Sequence, residues 1–370
     1  MALLSVEDLT VQFYTDRGVL RAVDGLSYEI ERGETLGIVG ESGAGKTVTS
    51  LALLRLLEDG EIVDGSIRFD GQDVLECSPA ELRRLRGNRV AMVFQDSQSA
   101  FNPVYTVGEQ IAEGVRAHED VSRREARERA IDLLARVDVA APASRYTDYP
   151  HEFSGGMLQR AAIAMALAGD PDLLICDEPT TGIDVTVQAQ LLELLAELAS
   201  EDGLAIQLVT HDLGVVAECC DRVVVLYAGA AVECAPVESL FYEPSHPYTA
   251  GLLASIPRLG DDRDRLPQLP GSIPDLVDRP TGCRFHPRCP YAEAICRTRE
   301  PTLESVDGDD SSGGPGGDRQ PAHRAACHAY TGDLEGDLEY EVRVLDDESD
   351  RYDRPVDASD PPSTSGGDRT

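Results

Sequence analysis

Basic charge is scarce in this 370-residue sequence: 33 Lys plus Arg face 67 Asp plus Glu, a formal net charge of −34. Lysine is nearly missing, with Lys46 its single occurrence. So acidic a surface repels phosphate backbones and disfavours non-specific nucleic-acid binding. No uninterrupted run of 18 apolar residues occurs, so no bilayer-spanning helix is expected. Residues Met1 to Asp8 lack a basic stretch followed by an apolar one, so no signal peptide is expected and the expected compartment is the cytosol. The nine cysteines contain no C-x2-C pair, which excludes the common zinc knuckles. Cys77, Cys176, Cys219, Cys220 and Cys234 are scattered and read as small core residues or free thiols.

What is present is centred on Gly40-Glu41-Ser42-Gly43-Ala44-Gly45-Lys46-Thr47, the pattern G-x-x-x-x-G-K-[ST]. Glu34 to Val39 before it reads as a buried strand, and Val48 to Leu57 after it as a packed helix. Glycines in that context let successive N–H groups and the helix N-terminus face a polyphosphate. Lys46 then reaches the β- and γ-phosphates, and the Thr47 hydroxyl can ligate magnesium. In a chain otherwise without lysine, this one carries extra weight.

Leu9–Phe13 and Gly25–Ile30, with turn residues at Asp16-Arg17-Gly18, read as antiparallel strands. Phe13 or Tyr14 lies where a ring can stack on adenine; a sheet position is the plainer reading of either. Gly65–Gly71 and Val90–Phe94 read as strands, the second ending at Gln95. From Asp96 to about Gly169 the pattern is helical, with a capping box at Ser122-Arg123-Arg124-Glu125. This insertion closes at Phe153-Ser154-Gly155-Gly156-Met157, which opens an apolar helix over Ala161–Ala168. Leu173 to Glu178 is an apolar strand ending in two carboxylates, at the position where ligands of open α/β sheets sit. There Asp177 suits a magnesium shell and Glu178 suits the orientation of an attacking water. Ala205–Thr210 is a further buried strand, ending at His211, which can contact a γ-phosphate. Arg222–Tyr227 completes the core.

The order phosphate loop, Gln95, Ser154-Gly155-Gly156, Asp177-Glu178, Thr181-Gly182-Ile183-Asp184 and His211 resembles the nucleotide-binding subunit of ATP-binding-cassette (ABC) transporters over about residues 1–235. The resemblance implies an α/β fold: a P-loop NTPase core with N-terminal antiparallel strands, an all-helical insertion and a small cysteine-containing C-terminal region. It implies two cassettes head to tail, with ATP between residues 40–47 of one and Ser154, Gly155 and Gly156 of the other. By that analogy Lys46 and Thr47 hold phosphate and Mg2+, Gln95 senses the γ-phosphate, and Asp177 supports the metal. Glu178 activates water, His211 clamps the γ-phosphate, and Asp184 communicates across the dimer. Phe153 and Met157 depart from the usual signature without touching its anion-binding residues, and in the loop Thr181-Gly182-Ile183-Asp184 the family more commonly has Ala or Ser at the position of Gly182. Phe94–Pro103 and Glu243–Leu253 look like the oligopeptide and dipeptide importer branch, some relatives of which carry nickel. The partners implied are a second, related ATPase, two permeases and an extracellular solute-binding protein. The implied location is the cytoplasmic face of the membrane. A soluble cassette acting on DNA or ribosomes is opposed by the acidity, the single cassette and the lack of a long coiled coil. A cassette without turnover is opposed by Lys46, Glu178 and His211 together.

The domains expected are 1–95 with 170–235 as nucleotide-binding core, 96–169 as helical subdomain, 236–330 as C-terminal region and 331–370 as an acidic tail without fixed structure. Cys283, Cys289, Cys296 and Cys327, with His286, His323 and His328 nearby, suggest a metal centre more than disulfides. The resemblance favours a [4Fe–4S] cluster, with zinc and unligated thiols as alternatives. Asp307–Asp318, rich in Gly, Ser and Asp, reads as a flexible loop. The acid excess itself resembles that of proteins from salt-loving organisms, where ionic strength screens self-repulsion. Unfolding followed from low to molar salt is expected to show stability rising steeply; a flat response excludes salt adaptation.

Overall fold

The computed structural model describes residues 2–96, 99–256, 269–306 and 323–331. The expected loop at 307–318 and nearly all of the acidic tail lie outside the described residues. The chain opens with β1 (Leu4–Thr15) and β2 (Gly18–Ile30), then β3 (Thr35–Val39), helix α1 (Lys46–Leu53), β4 (Gly60–Phe69), β5 (Gln72–Asp73), α2 (Pro79–Leu85) and β6 (Val90–Val93). Helices α3 (Val107–His118), α4 (Arg123–Arg136), α5 (Pro142–Arg145) and α6 (Gly155–Ala166) follow, then β7 (Leu173–Asp177), α7 (Val185–Asp202), β8 (Ala205–Thr210), α8 (Leu213–Cys219) and β9 (Arg222–Tyr227). The described C-terminal part holds β10 (Ala230–Pro236), α9 (Val237–Tyr242), α10 (Pro247–Ala254), β11 (Glu304–Ser305) and β12 (Arg324–Ala325).

The strands form an antiparallel sheet of order β2-β1-β4-β5 and an eight-stranded sheet of order β11-β12-β10-β9-β3-β8-β7-β6. From β9 to β6 the second sheet is parallel. Its central strands are buried along their whole length, as the apolar runs require when layers cover both faces. One core joins the antiparallel sheet and α1 to β3 and β8; another joins the helical insertion and α7 to β7 and β8. Between these layers a buried polar chain runs from the Tyr28 hydroxyl to Gln207 Oε1 (2.9 Å) and from Gln207 Nε2 to Ser50 Oγ (2.9 Å). Each group in it has a partner, so the chain pins β2, β8 and α1 together without an orphaned polar atom.

The insertion between β6 and β7 is helical, and Ser122 and Glu125 form the reciprocal capping box that its sequence predicts. The helix after the phosphate loop is shorter than the apolar run: it ends at Leu53, and Arg55 adopts φ +50°. Arg86 explains the stop, since its guanidinium donates to the carbonyls of Leu54 and Arg55 at 2.8 Å each and satisfies the exposed helix end. The β4 strand is longer than its predicted 65–71 core and begins at Gly60, paired against Phe13.

The C-terminal part is built onto the main sheet. Strand β12 pairs with β10, and Phe285 and Tyr248 share a core with Val39 and Tyr227. Glu233, fully buried, accepts from the backbone N–H of Ser245 (2.7 Å) and His246 (2.9 Å) and from His323 Nε2 (2.7 Å). Burial drives the His246 imidazole down to about 3, so it is neutral, and its Nδ1 accepts from Tyr248 N as the cap of α10. Asp24 fastens the same part to the antiparallel sheet through Arg279 and, at 2.5 Å, Arg284. Burial works to raise the Asp24 carboxyl, but the bonds and charges of these two arginines outweigh it and hold the group below its ordinary range.

Candidate nucleotide site

The parallel register sets out the site. Val39 pairs with Thr210, Val209 with Asp177, and Cys176 with Val93, so Gly40, His211, Glu178 and Gln95 leave the sheet along one edge. Gly45 caps α1 with φ 102°, and a Cβ there would meet the carbonyl oxygen of Ala22 at 2.4 Å, so only glycine fits. Lys46 is 5% exposed; its Nζ donates to the carbonyls of Gly40 (2.8 Å) and Glu41 (3.2 Å) and stands 4.0 Å from Glu178 Oε1. Burial lowers its affinity for a proton, partly opposed by the charges of Glu178 and Asp177.

Asp177 is 2% exposed and accepts from Thr47 Oγ1 at 3.2 Å. Its carboxyl is pushed above the ordinary range, chiefly by burial and further by Glu178, against the opposing pull of Thr47 and Lys46. Glu178 lies just past the strand in the left-handed region, φ +47°, which turns its side chain out of the strand's alternation. A non-glycine residue in that conformation stores strain of about 1–3 kcal/mol. Its carboxylate accepts from Gln95 Nε2 (2.8 Å) and Thr181 Oγ1 (3.1 Å) and pairs with His211 Nδ1 at 3.2 Å. The structure therefore brings together Lys46, Thr47, Gln95, Asp177, Glu178 and His211. Such a site can cradle a polyphosphate, supply hard oxygen donors to a divalent cation, and hold a carboxylate where water attacks.

Other singled-out residues lie elsewhere. Ser154 Oγ accepts from Met157 N, and Asp184 accepts from Val187 N; both cap helices, and neither bonds to residues 40–47. Ser154 and Gly156 line a cavity of about 560 Å³ with Asp138, Arg160 and Glu193. A Cβ on Gly156 would strike Val187 at 2.3 Å, whereas one on Gly155 would meet nothing within 4 Å. Tyr14 is 65% exposed near the end of β1, and Phe13 is half-buried. Thr181, Tyr248 and Arg288 also touch the site: the sequence places Thr181 and Tyr248 in motifs without giving either a contact here, and gives no sign of Arg288. Tyr248 lies in the Glu243–Leu253 block, from which sequence suggests no chemistry, yet its hydroxyl accepts from Glu41 N at 3.0 Å.

Cys283, Cys289, Cys296 and Cys327 line one pocket of about 20 Å³ with His246, His286 and His328. That is room for about one water. Among the described residues no three His, Cys, Asp or Glu side chains are grouped to hold a metal ion. Burial pushes the thiols of Cys289 and Cys327 up to about 12 and about 11 and raises Cys283 as well, so they stay protonated at neutral pH. Cys77 and Cys176 are buried, and Cys219, Cys220 and Cys234 are half-buried; all are free thiols.

A phosphate loop after β3, carboxylates at the tip of β7 and a helical insertion between β6 and β7 together define a P-loop ATPase of the cassette type. Residues 23–181 match the ABC transporter family, and residues 232–296 match the family described as oligopeptide/dipeptide transporter, C-terminal region. The dipeptide transport ATP-binding protein DppD of Escherichia coli is 49% identical over 307 residues, covering 83% of this chain and 94% of the relative. DppD of Haemophilus influenzae is 47% identical over 307 residues, covering 83% and 93%. Among solved structures, the dimeric ATP-binding cassette MJ0796 in a post-hydrolysis state with ADP and Pi is similar with TM-score 0.58 and 26% identity, covering 63% of this chain and 98% of that one. The chain belongs to the ABC transporter family as an ATP-binding subunit. It is an ATP hydrolase, and among its described residues no helix is long and apolar enough to cross a membrane.

The raised Asp177 carboxyl gives a directional test. A folded-state value above the unfolded one means that ionisation opposes folding, a cost fully present above the folded value and relieved as pH falls through it. Asp177→Asn should therefore raise the Tm of the chain without nucleotide at neutral pH, an advantage that shrinks as pH falls through the range of the raised carboxyl. The same variant should lose most of its magnesium-dependent ATP binding. Thermal unfolding in EDTA, paired with ATP titration with and without magnesium, reads both effects.

Proposed function

We propose that this chain is the ATPase subunit of an importer that carries di- and oligopeptides across the cell membrane. The observation that carries the ATPase mechanism is the junction at Glu178, where Gln95, Thr181, His211 and Lys46 converge beside the Thr47–Asp177 pair. The peptide assignment is supported by the match over residues 232–296 and by the dipeptide transport relatives. The same ATPase role with nickel or another small solute as cargo is the second reading of the importer branch.

In this proposal residues 40–47 wrap the phosphates of ATP, and the Lys46 ammonium exchanges loop carbonyls for phosphate oxygens. Thr47, Gln95 and Asp177 would hold magnesium, whose bound charge offsets that of the phosphates. The fit rests on the bonded Thr47–Asp177 oxygens and on a buried carboxylate that a cation would relieve. Glu178 orients the attacking water and receives its proton, while His211 contacts the terminal phosphate from the neighbouring strand tip. Tyr14 stacks on the adenine. Ser154, Gly155 and Gly156 complete the ATP pocket of a second cassette, and Asp184 senses that partner. Gly155 supports this reading, because nothing inside its own chain requires a glycine there. The division into 1–95 with 170–235, 96–169, 236–330 and 331–370 is part of the same reading. So are two permeases, a solute-binding protein, a position at the cytoplasmic face of the membrane and adaptation to high salt.

For the four C-terminal cysteines we propose a [4Fe–4S] centre on the strength of the resemblance to the importer branch; all four line one pocket, but as placed no three of them are grouped to hold a metal. Their side chains must swing apart to admit it and must lose protons to ligate it. Protein purified without oxygen should be brown and hold about four irons per chain; colourless protein containing zinc or no metal overturns the assignment.

Glu178→Gln tests the leading proposal. The variant should bind ATP normally, lose at least ~100-fold in turnover, accumulate as a closed dimer and abolish uptake of a labelled dipeptide by cells. Unchanged turnover removes the role of Glu178, and lost turnover with cargo other than peptide removes the peptide assignment.

A further inference from the structure

The guanidinium of Arg288, on the segment between Cys283 and Cys289, is held from every side. Its two terminal nitrogens donate to the two carboxylate oxygens of Glu41 at 3.1 Å each, a bidentate fork. Its Nε donates to Pro270 O at 2.7 Å, and its Cζ lies 5.6 Å from the Tyr227 ring centroid and 5.9 Å from that of Phe285. Arg288 is only 7% exposed, so the fork works where water competes little.

Glu41 is the second residue of the phosphate loop, and its backbone is fixed as tightly as its side chain. Its N–H donates to the Tyr248 hydroxyl at 3.0 Å. Its carbonyl accepts from Ala44 N at 3.2 Å, which closes the loop's turn, and from Lys46 Nζ at 3.2 Å. One residue therefore joins the Arg288 fork to the carbonyl that supports the phosphate-binding lysine. Arg288 and Tyr248 both come from residues 232–296, outside the 23–181 stretch that matches the cassette.

We propose that Arg288 is a positioning residue of the nucleotide site: by gripping Glu41, the C-terminal region sets the phosphate loop in its binding shape before ATP arrives. A loop ordered in advance loses less freedom on binding, so the gain appears as ATP affinity more than as chemistry. The inference rests on residues 40–47 binding ATP, and each test below starts from a wild-type chain of measured affinity. Absent wild-type binding would defeat the function proposed above, whereas wild-type binding unaltered by substitution defeats this inference alone.

In the full-length chain, Arg288→Gln should raise the Kd for magnesium-ATP roughly tenfold, the lower end of what losing an orienting partner costs a bound group. In the assembled transporter it should raise KM for ATP by more than it lowers kcat. A merely structural role would instead reduce the active fraction, lowering kcat at unchanged KM. Glu41→Gln should raise Kd similarly, and adding Arg288→Gln to it should change little, since both remove one contact. Arg288→Lys keeps the charge and loses the fork, so it should bind ATP about as weakly as Arg288→Gln. It also carries the test if Arg288→Gln does not fold by circular dichroism. Wild-type Kd in folded Arg288→Lys, or additive effects in the double variant, overturns the proposal.

Discussion

A buried ammonium facing one buried and one half-buried carboxylate is the constraint on which this molecule turns. Lys46, Asp177 and Glu178 meet at the mouth of a sheet whose central strands exclude water. Burial pushes Lys46 and Asp177 toward their neutral forms, and their mutual attraction and the hydrogen bonds with Gly40, Glu41 and Thr47 oppose it. A polyanion beside the lysine and a dication beside the aspartate would each offset the cost of burying these two groups.

The scaffold supplies the register that brings these groups together. Parallel pairing of β3, β8, β7 and β6 brings four strand ends to one edge, where β3 runs into the glycine-rich loop at Gly40 and the other three lead to His211, Glu178 and Gln95. The Tyr28–Gln207–Ser50 chain fixes α1 against β8 from beneath. The C-terminal part fixes the loop from the side through Glu41 and holds the antiparallel sheet through Asp24, so what looks in sequence like an appendage braces the site.

Much of this was legible in the sequence, because local patterns with fixed spacing encode it. The glycine spacing of residues 40–47, the apolar run into Asp177-Glu178 and the capping box at Ser122 each depend on neighbours within a few residues. Contacts set by distant packing were not legible. Nothing near Tyr248 says that its hydroxyl will meet a backbone N–H more than two hundred residues away, and nothing near Arg288 names Glu41 as its partner. The early end of α1 was hidden for the same reason, since the arginine that caps it comes from beyond α2. The cysteines illustrate an intermediate case: their clustering could be suspected from number and type, but spacing that irregular left the size of the pocket open.

The outer margin of the large sheet has a consequence for biogenesis. Strand β12, which covers β10, is the last described strand of the chain, and His323 beside it is the third partner of Glu233. While the ribosome is still making the residues after β10, that strand presents a bare row of amide and carbonyl groups above a carboxylate that has not met its histidine. That margin of the nascent chain thus stays open to stray pairing until the last of the described strands has been made.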